Sequence, residues 1–330
     1  MKRLLSRLNI DRYILLLIAT VIVASIIPAR GQWASVVGGL ADVGIVALFF
    51  LHGARLSRQS VLDGIKAWRL HLAVAGMTFA VFPILGIGIN ALPWLEPDLA
   101  AGMLFLTLLP STGQSSIAFT AIARGNVAAA VCSASFSNLA GIFLTPLLVA
   151  FLMTGQHGGF SAHSVTTIFA QLLLPFLAGH FLRPFIGEFV AKRKHLLGLV
   201  DRGSILLVVY TAFGAAVVDG LWQRVSLEDL ITIFLLSSIL LGIVLVLSRT
   251  IGRSLGFSEE DIITLQFCGS KKSLASGVPM AGVLFSAAQV GAIILPLMIF
   301  HQMQLMVCAA LARRYGKRLD ETVEDPLTAT

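Results

Sequence analysis

The chain has 330 residues, of which 57% are hydrophobic and only 12% are charged. Soluble domains carry about 25% charged residues, so this composition excludes a soluble protein and predicts an integral membrane protein. The formal net charge of +7 comes from basic residues in short connections between apolar segments. No basic face interleaved with aromatic residues accompanies them, so no nucleic-acid partner is predicted.

The apolar segments predict ten membrane-spanning helices. A helical span needs about 20 apolar residues, and no alternating pattern typical of a membrane barrel is present. The predicted fold is therefore an all-α bundle in the lipid bilayer. In chain order the spans are Arg12–Pro28, Ala34–Leu51, Trp68–Asn90, Leu99–Ala123, 127–153, Ser164–Leu182, Gly203–Trp222, Asp229–Ser248, Glu259–Phe285 and Ala288–Ala312.

The distribution of basic residues tests this count. With ten spans, all but four of the 24 lysines and arginines fall at the termini or in connections on the same side as the termini. Only Arg30 and Arg224 fall on the opposite side, and Lys271 and Lys272 lie inside a span. Because basic residues concentrate on the cytoplasmic side, both termini are predicted to be cytoplasmic, in a multi-pass protein of the inner membrane.

Ten spans divide into two halves of five, residues 12–153 and 164–312, followed by a cytoplasmic tail, residues 313–330. Because five is odd, the second half enters the membrane from the opposite side, which is the arrangement of an inverted repeat. Spans 4 and 9 hold equivalent places in the two halves, and small polar residues interrupt both. They are predicted to be discontinuous helices whose interruptions meet near the midplane. The alternative is that these small residues serve only close helix packing.

The interruption in span 4 runs from Pro110 to Ser116, and the one in span 9 runs from Phe267 to Ser273. The second interruption contains Lys271 and Lys272. The acidic cluster that starts at Glu259 lies twelve residues before the first of these lysines and suits a helix start at the interface. A rise of 1.5 Å per residue then places the lysines about 15–18 Å deep in the bilayer. The alternative is a cytoplasmic loop in which both lysines are solvated.

Four stretches of the sequence resemble the bile acid:sodium symporter superfamily, and its SBF-like symporter branch in particular. These stretches are Thr78–Pro83, Leu109–Ala128, Leu144–Pro146 and Phe267–Ala275. The resemblance implies ten helices, with spans 1, 2, 6 and 7 forming a panel and the others a core in which spans 4 and 9 cross. It also implies alternating access, with an organic solute bound between core and panel.

The sequence departs from the family where sodium would bind. Thr78 replaces the family glutamine, and Ala130 and Ala134 replace a serine and a threonine. The family glutamate of span 9 falls near Gln266. Because a hard cation prefers several oxygen ligands and a negative charge, a nearby lysine disfavours it. We therefore expect Lys271 or Lys272 to supply a built-in positive charge in place of sodium.

The predicted function is transport of a small organic, anionic solute, coupled to Na⁺ or H⁺ or uncoupled. The alternative is a membrane regulator that keeps the fold without moving solute. No enzyme, cofactor or metal motif is recognised. The residues expected to bind solute or ion are Gln114, Ser115, Ser116, Gln266, Ser270, Lys271, Lys272, Ser273, Thr78 and Asn138.

His301 and Gln304 lie on one face of span 10. They form either a polar cluster facing the core or ordinary hydrogen bonds between helices.

Overall fold

A computed structural model describes residues 12–55, 67–153 and 169–324, and these residues form helices and no strands. Helices α1 and α2 span Arg12–Ile26 and Gln32–Arg55. Helices α3 and α4 span Trp68–Gly76 and Phe82–Asn90, and a π-helical turn joins them at Met77–Val81. The next helices are α5 (Pro97–Leu108), α6 (Gln114–Ile122) and α7 (Val127–Leu152).

After residue 168, the first described element is a π-helical turn at Phe169–Leu173, which leads into helix α8. The helices that follow are α8 (Leu174–Lys192), α9 (Lys194–Val218), α10 (Leu221–Arg224), α11 (Leu227–Ser254), α12 (Glu259–Gly269), α13 (Leu274–Leu284) and α14 (Ala287–Glu324).

Seven helices within the described residues are long and apolar enough to cross a membrane. Two shorter apolar helices, Leu15–Ile26 and Pro97–Leu108, accompany them. Many large apolar side chains on the outside of the bundle are exposed, as lipid contact requires. The prediction of an all-helical, multi-pass membrane protein is therefore confirmed.

Several helix boundaries differ from the sequence expectation. Helix α8 continues through Pro184 to Lys192, ten residues past the predicted end of span 6, and α9 begins at Lys194, nine residues before the predicted start of span 7. Helix α2 continues through Arg55, although the segment after residue 51 was expected to be a connection. Helix α14 continues twelve residues beyond Ala312, to Glu324, because this polar stretch contains strong helix formers and no proline. Much of the predicted tail, residues 313–330, is thus helical, and residues 325–330 lie outside the described part. The start of predicted span 6, residues 164–168, also lies outside it.

The helices pack in two groups, which meet where α9 packs against α14 and α13. Helix α2 packs against α8 and α9, and α9 packs against α1. The approach of α2 to α8 depends on small residues, because a Cβ atom at Gly53 would lie 2.0 Å from the carbonyl oxygen of Phe176. In the other group, α14 packs against α5 and α11, while α12 packs against α6, α7 and α11. The interrupted segments lie inside this second group.

Candidate functional site

Two short non-helical segments meet inside the protein. The first break is residues 109–113, between α5 and α6, and the second break is residues 270–273, between α12 and α13. Both were expected from the sequence, but each is shorter than predicted. Gln114, Ser115 and Ser116 already belong to the first turn of α6, and Phe267 to Gly269 still belong to α12.

The two breaks are joined by direct hydrogen bonds. The backbone N–H of Ser273 donates to the carbonyl of Pro110 at 2.9 Å. The hydroxyl of Ser111 donates to the carbonyl of Cys268, and the hydroxyl of Ser116 donates to the carbonyl of Phe267 at 2.9 Å. These bonds satisfy backbone groups that the interrupted helices leave without helical partners.

Neighbouring side chains satisfy the other carbonyls around the first break. The hydroxyl of Thr145 donates to the carbonyl of Leu108 at 2.8 Å. The side-chain amide of Asn138 donates to the carbonyl of Ser111 at 3.3 Å. The carbonyls of Thr107 and Leu109 have a different partner, the ammonium group of a lysine.

The ammonium of Lys272 donates to three backbone carbonyls, at 2.8 Å to Thr78, 2.7 Å to Thr107 and 2.7 Å to Leu109. Three donors therefore meet three acceptors, which is the full hydrogen-bonding capacity of a lysine. The ammonium also lies 4.2 Å from the centre of the Phe82 ring. The side chain is 0% exposed, so all of these contacts are shielded from water.

The sequence explains why these three carbonyls are free. Thr107 and Leu109 lie at the carboxyl end of α5, where carbonyls have no helical partner and the helix dipole is negative. In the π-helical turn, the N–H of Phe82 donates to the carbonyl of Met77. The next such bond would join residue 83 to Thr78, but Pro83 has no N–H. The carbonyl of Thr78 is therefore available to Lys272.

Gln304 fixes the backbone of Lys272. Its side-chain oxygen accepts from the N–H of Lys272 at 2.8 Å, and its side-chain nitrogen donates to the carbonyl of Lys272 at 2.8 Å. Nδ1 of His301 lies 2.8 Å from the same side-chain nitrogen of Gln304. The two residues of α14 thus form a polar cluster that faces the second break and holds Lys272 in place.

Lys271 is equally buried, with 0% exposure, but its surroundings are aromatic. Its ammonium lies 4.1 Å from the centre of the Phe119 ring and 5.5 Å from that of Phe267. It has no hydrogen-bond partner among the described residues. Neither Lys271 nor Lys272 forms an ion pair within the part of the chain that the structure describes. This burial contradicts the alternative of a solvated cytoplasmic loop.

A cavity of about 230 Å³ adjoins the breaks. Gln114, Asn138 and Ser276 line it from the second group of helices, and His52 and Arg55 line it from α2. The hydroxyl of Ser276 donates to the side-chain oxygen of Asn138 at 3.1 Å. The cavity therefore lies between the two groups of helices, and the first turns of α6 and α13 border it.

The predicted site residues do not form one cluster. Gln114 and Asn138 reach the cavity, whereas the side chains of Lys271 and Lys272 are enclosed. Ser115 and Ser116 contact Thr112, and Ser273 caps α13. Thr78 contributes its backbone carbonyl. Ser270 donates to the carbonyl of Gln266, whose own side chain points away from the cavity, toward Leu245 and Tyr315.

Several residues that hold the breaks together were not predicted from the sequence. Ser111, Thr145 and Ser276 make the hydrogen bonds described above, and the hydroxyl of Ser137 accepts from the N–H of Ser111 at 2.9 Å. Thr145, Ser276 and Ser137 are small hydroxyl residues in apolar helices, and that is the only signal the sequence contains for them, whereas Ser111 lies within the predicted interruption. Such residues also serve ordinary packing, so the signal does not separate the two roles.

Interrupted helices that meet at a buried polar junction are typical of membrane transporters, and the comparisons with known proteins agree. The model of the SBF-like CPA transporter family matches residues 11–317. "Uncharacterized protein PA2026" of Pseudomonas aeruginosa is 54% identical over 315 residues, which cover 94% of each chain.

"Putative symporter YfeH" of Escherichia coli is 50% identical over 317 residues, which cover 94% of this chain and 95% of the relative. "Sodium/bile acid cotransporter 7" of Danio rerio is 27% identical over 324 residues, which cover 93% of this chain and 94% of the relative.

The chain belongs to the SBF-like CPA transporter family. The resemblance inferred from the four sequence stretches is therefore confirmed. The family and the names of the relatives indicate a membrane transporter rather than an enzyme.

Proposed function

We propose that the protein is a secondary transporter that moves a small organic anion by alternating access, with a lysine ammonium in place of a coupling cation. The observation that carries this proposal is the ammonium of Lys272, bound by three backbone carbonyls where the interrupted helices meet. Carbonyl oxygens at the ends of broken helices bind coupling cations in secondary transporters. Here a tethered cation occupies such a position.

The proposed architecture is ten spans in two inverted halves, residues 12–153 and 164–312. Helices α5 and α6 form span 4, helices α12 and α13 form span 9, and their breaks contact each other. The packing of α1, α2, α8 and α9 supports a panel that moves against a core. The segregation of basic residues supports an inner-membrane protein with both termini in the cytoplasm.

The coupling ion is the point at which this chain differs from a sodium symporter. Some of its relatives are named sodium/bile acid cotransporters. Sodium would need oxygen ligands, yet the three carbonyls that converge at the breaks are already bound by an ammonium. Transport driven by a proton gradient, or by the solute gradient alone, follows from this arrangement.

The proposed solute site is the cavity between core and panel. The cavity is lined mainly by apolar residues, and the first turns of α6 and α13 and the guanidinium of Arg55 favour a negative charge at its polar end. Arg55 is partly neutralised by an ion pair with Asp201. The volume of about 230 Å³ suits a solute of a few heavy atoms, because drug-sized ligands need about 300–1,000 Å³.

The alternative is a membrane regulator that keeps this fold without moving solute. The observation that favours it is the complete hydrogen bonding of Lys272, which ties α3–α4, α5 and the second break together. A junction held so firmly could serve as a fixed scaffold.

Uptake by vesicles containing the purified protein separates these functions. Radiolabelled short-chain carboxylates, and taurocholate as an anion too large for the cavity, are offered with external sodium or with choline in its place, and with or without a proton gradient. We expect uptake of at least one anion to persist in choline. Full dependence on sodium would contradict the tethered cation, and no uptake of any anion would favour the regulator.

A further inference from the structure

A second and larger cavity, of about 650 Å³, lies on the outer side of the core between α11 and α14. We call it the lateral groove. It is separate from the cavity between core and panel, and the two share no lining residue. The residues that line it are Gly242, Leu245, Val246, Arg249, Thr250, Arg253, Gln266, Val307, Ala310, Leu311, Arg314 and Tyr315.

One end of the lateral groove is strongly basic. Arg249 and Arg253 lie near the end of α11, and Arg314 lies on α14. The carboxylate of Glu259 pairs with two of these arginines, at 3.1 Å from Arg249 and 4.0 Å from Arg253. Arg314 forms no ion pair or hydrogen bond among the described residues. Three guanidinium groups therefore line the groove while one carboxylate pairs with two of them, so net positive charge remains for a ligand.

The other end of the lateral groove is apolar and open to the lipid side. Val246 is 65% exposed and Val307 is 43% exposed. A Cβ atom at Gly242 would meet no heavy atom within 4 Å. From Gly242 to Arg253 the groove follows α11 for eleven residues, or about 16 Å at 1.5 Å per residue.

Both helices change from apolar to basic in the same direction along the groove. On α14, Val307 precedes Arg314 by two turns, as Val246 precedes Arg253 on α11. The arginines therefore lie at the polar end of two membrane-spanning helices, at the level of lipid headgroups. The lateral groove, apolar at one end and lined by arginines at the other, matches the shape and charge of a phospholipid with an anionic headgroup.

We propose that the lateral groove binds an anionic phospholipid. The phosphate contacts Arg253 and Arg314 through charge-assisted hydrogen bonds, and one acyl chain lies along Val246 and Val307 toward Gly242. In the orientation proposed above, the lipid belongs to the cytoplasmic leaflet.

The lateral groove is connected to the breaks through Gln266. The hydroxyl of Tyr315 donates to the side-chain oxygen of Gln266 at 2.9 Å, and Arg249 donates to that hydroxyl at 3.3 Å. Gln266 lies on α12, the helix that leads into the second break. A lipid in the lateral groove therefore contacts Gln266 and Tyr315, beside the helix that leads to the buried lysines. Binding of the lipid stabilises the folded core.

The test measures binding of phosphatidylglycerol to the full-length protein in detergent, by native mass spectrometry and by the shift in unfolding temperature. Phosphatidylcholine and inorganic phosphate serve as the other probes. We expect phosphatidylglycerol to bind most tightly. Arg314→Gln should weaken this binding about fivefold, and Arg253→Gln with Arg314→Gln about 25-fold, because each basic residue near the surface adds about 1 kcal/mol.

Arg313→Gln is the matched control, because Arg313 is the exposed neighbour of Arg314 and does not line the groove. Its affinity for phosphatidylglycerol should remain unchanged. Gly242→Leu should fill the apolar end, where a side chain has room, and weaken lipid binding without loss of stability.

Three outcomes would overturn the proposal. If the Arg313 and Arg314 variants lose equal affinity for phosphatidylglycerol, the lipid is attracted by general surface charge and not by the groove. Equal binding of phosphatidylcholine would show an apolar groove without headgroup selection. Protection by inorganic phosphate that depends on Arg314 as strongly as the lipid does would identify a free phosphate site. None of these measurements requires transport, so a failure of the proposed transport function leaves the lipid test intact.

Discussion

Lys271 and Lys272 are adjacent in the chain and equally enclosed, yet their ammonium groups occupy opposite environments. That of Lys272 binds three carbonyl oxygens, whereas that of Lys271 lies between the aromatic rings of Phe119 and Phe267 and has no hydrogen-bond partner among the described residues. Burial alone therefore says little about the role of a charge. Lys272 has the surroundings of a bound cation, and Lys271 has only the weaker attraction of aromatic faces.

The largest expected effect is a loss of stability when the ammonium of Lys272 is removed. Lys272→Ala leaves the carbonyls of Thr78, Thr107 and Leu109 without their donor inside the protein. A buried polar group without a partner costs about 1–3 kcal/mol, so we expect a loss of about 3 kcal/mol or more. Unfolding of the purified variant in detergent measures it. Lys271→Ala is the matched control, and equal losses for the two variants would contradict the distinction between the two lysines.

Gln304→Leu should have the next largest effect, because it removes both hydrogen bonds to the backbone of Lys272. We expect a loss of about 2 kcal/mol in the free energy of unfolding. Gln302→Leu is the control, because Gln302 is a half-buried glutamine on the same helix that makes neither of these hydrogen bonds. If both variants unfold at the temperature of the wild type, the backbone of Lys272 does not depend on Gln304.

Small cations should partly rescue Lys272→Ala if the three carbonyls form a cation site. We expect Na⁺ or methylammonium to raise the unfolding temperature of this variant, and choline to leave it unchanged because choline is too large. At a concentration ten times the dissociation constant, the gain is about 1.4 kcal/mol. Wild type and Lys271→Ala should show no such gain. A rescue common to all three proteins would indicate a general salt effect.

Lys271→Met should have the smallest effect on stability. The substitution removes an ammonium that has only aromatic contacts and replaces it with an apolar chain that packs in the same space. We expect a change within about 1 kcal/mol in the free energy of unfolding. Uptake measured on the same preparation then tests function separately. A folded variant without uptake would assign Lys271 to transport, and normal uptake would assign it to packing.

Much of the architecture could be predicted from hydropathy and charge, because both are local properties of the sequence. Apolar segments of sufficient length predicted a helical membrane protein, and Pro110 and the serines predicted where the helices stop. Proline removes a helical hydrogen bond but does not end every helix, since Pro146 lies inside α7, Pro184 inside α8 and Pro296 inside α14. The ends of the helices were less predictable. Helix α14 continues past the apolar segment because helix formation does not require apolar residues.

The site was predicted less well. Gln266 lies on α12, the helix that leads into the second break, but its side chain faces the lateral groove. The rotation of α12 about its axis sets that direction, and the sequence contains no signal for it. His301 and Gln304 were correctly placed on one face, but their partner, the backbone of Lys272, could not be recognised. Every residue has a backbone carbonyl, so the sequence does not show which one a distant side chain will bind.

The sequence by itself determined that two lysines lie in an interrupted, apolar segment of a transporter-like membrane protein. Only the tertiary structure decided which lysine is bound by carbonyls. The three acceptors come from a π-helical turn near residue 78 and from the end of α5 near residue 108, and both are far from residue 272 in the chain. Their convergence depends on how the helices pack. Packing brings together residues that are distant in the chain, and hydropathy and local sequence patterns do not show which ones meet.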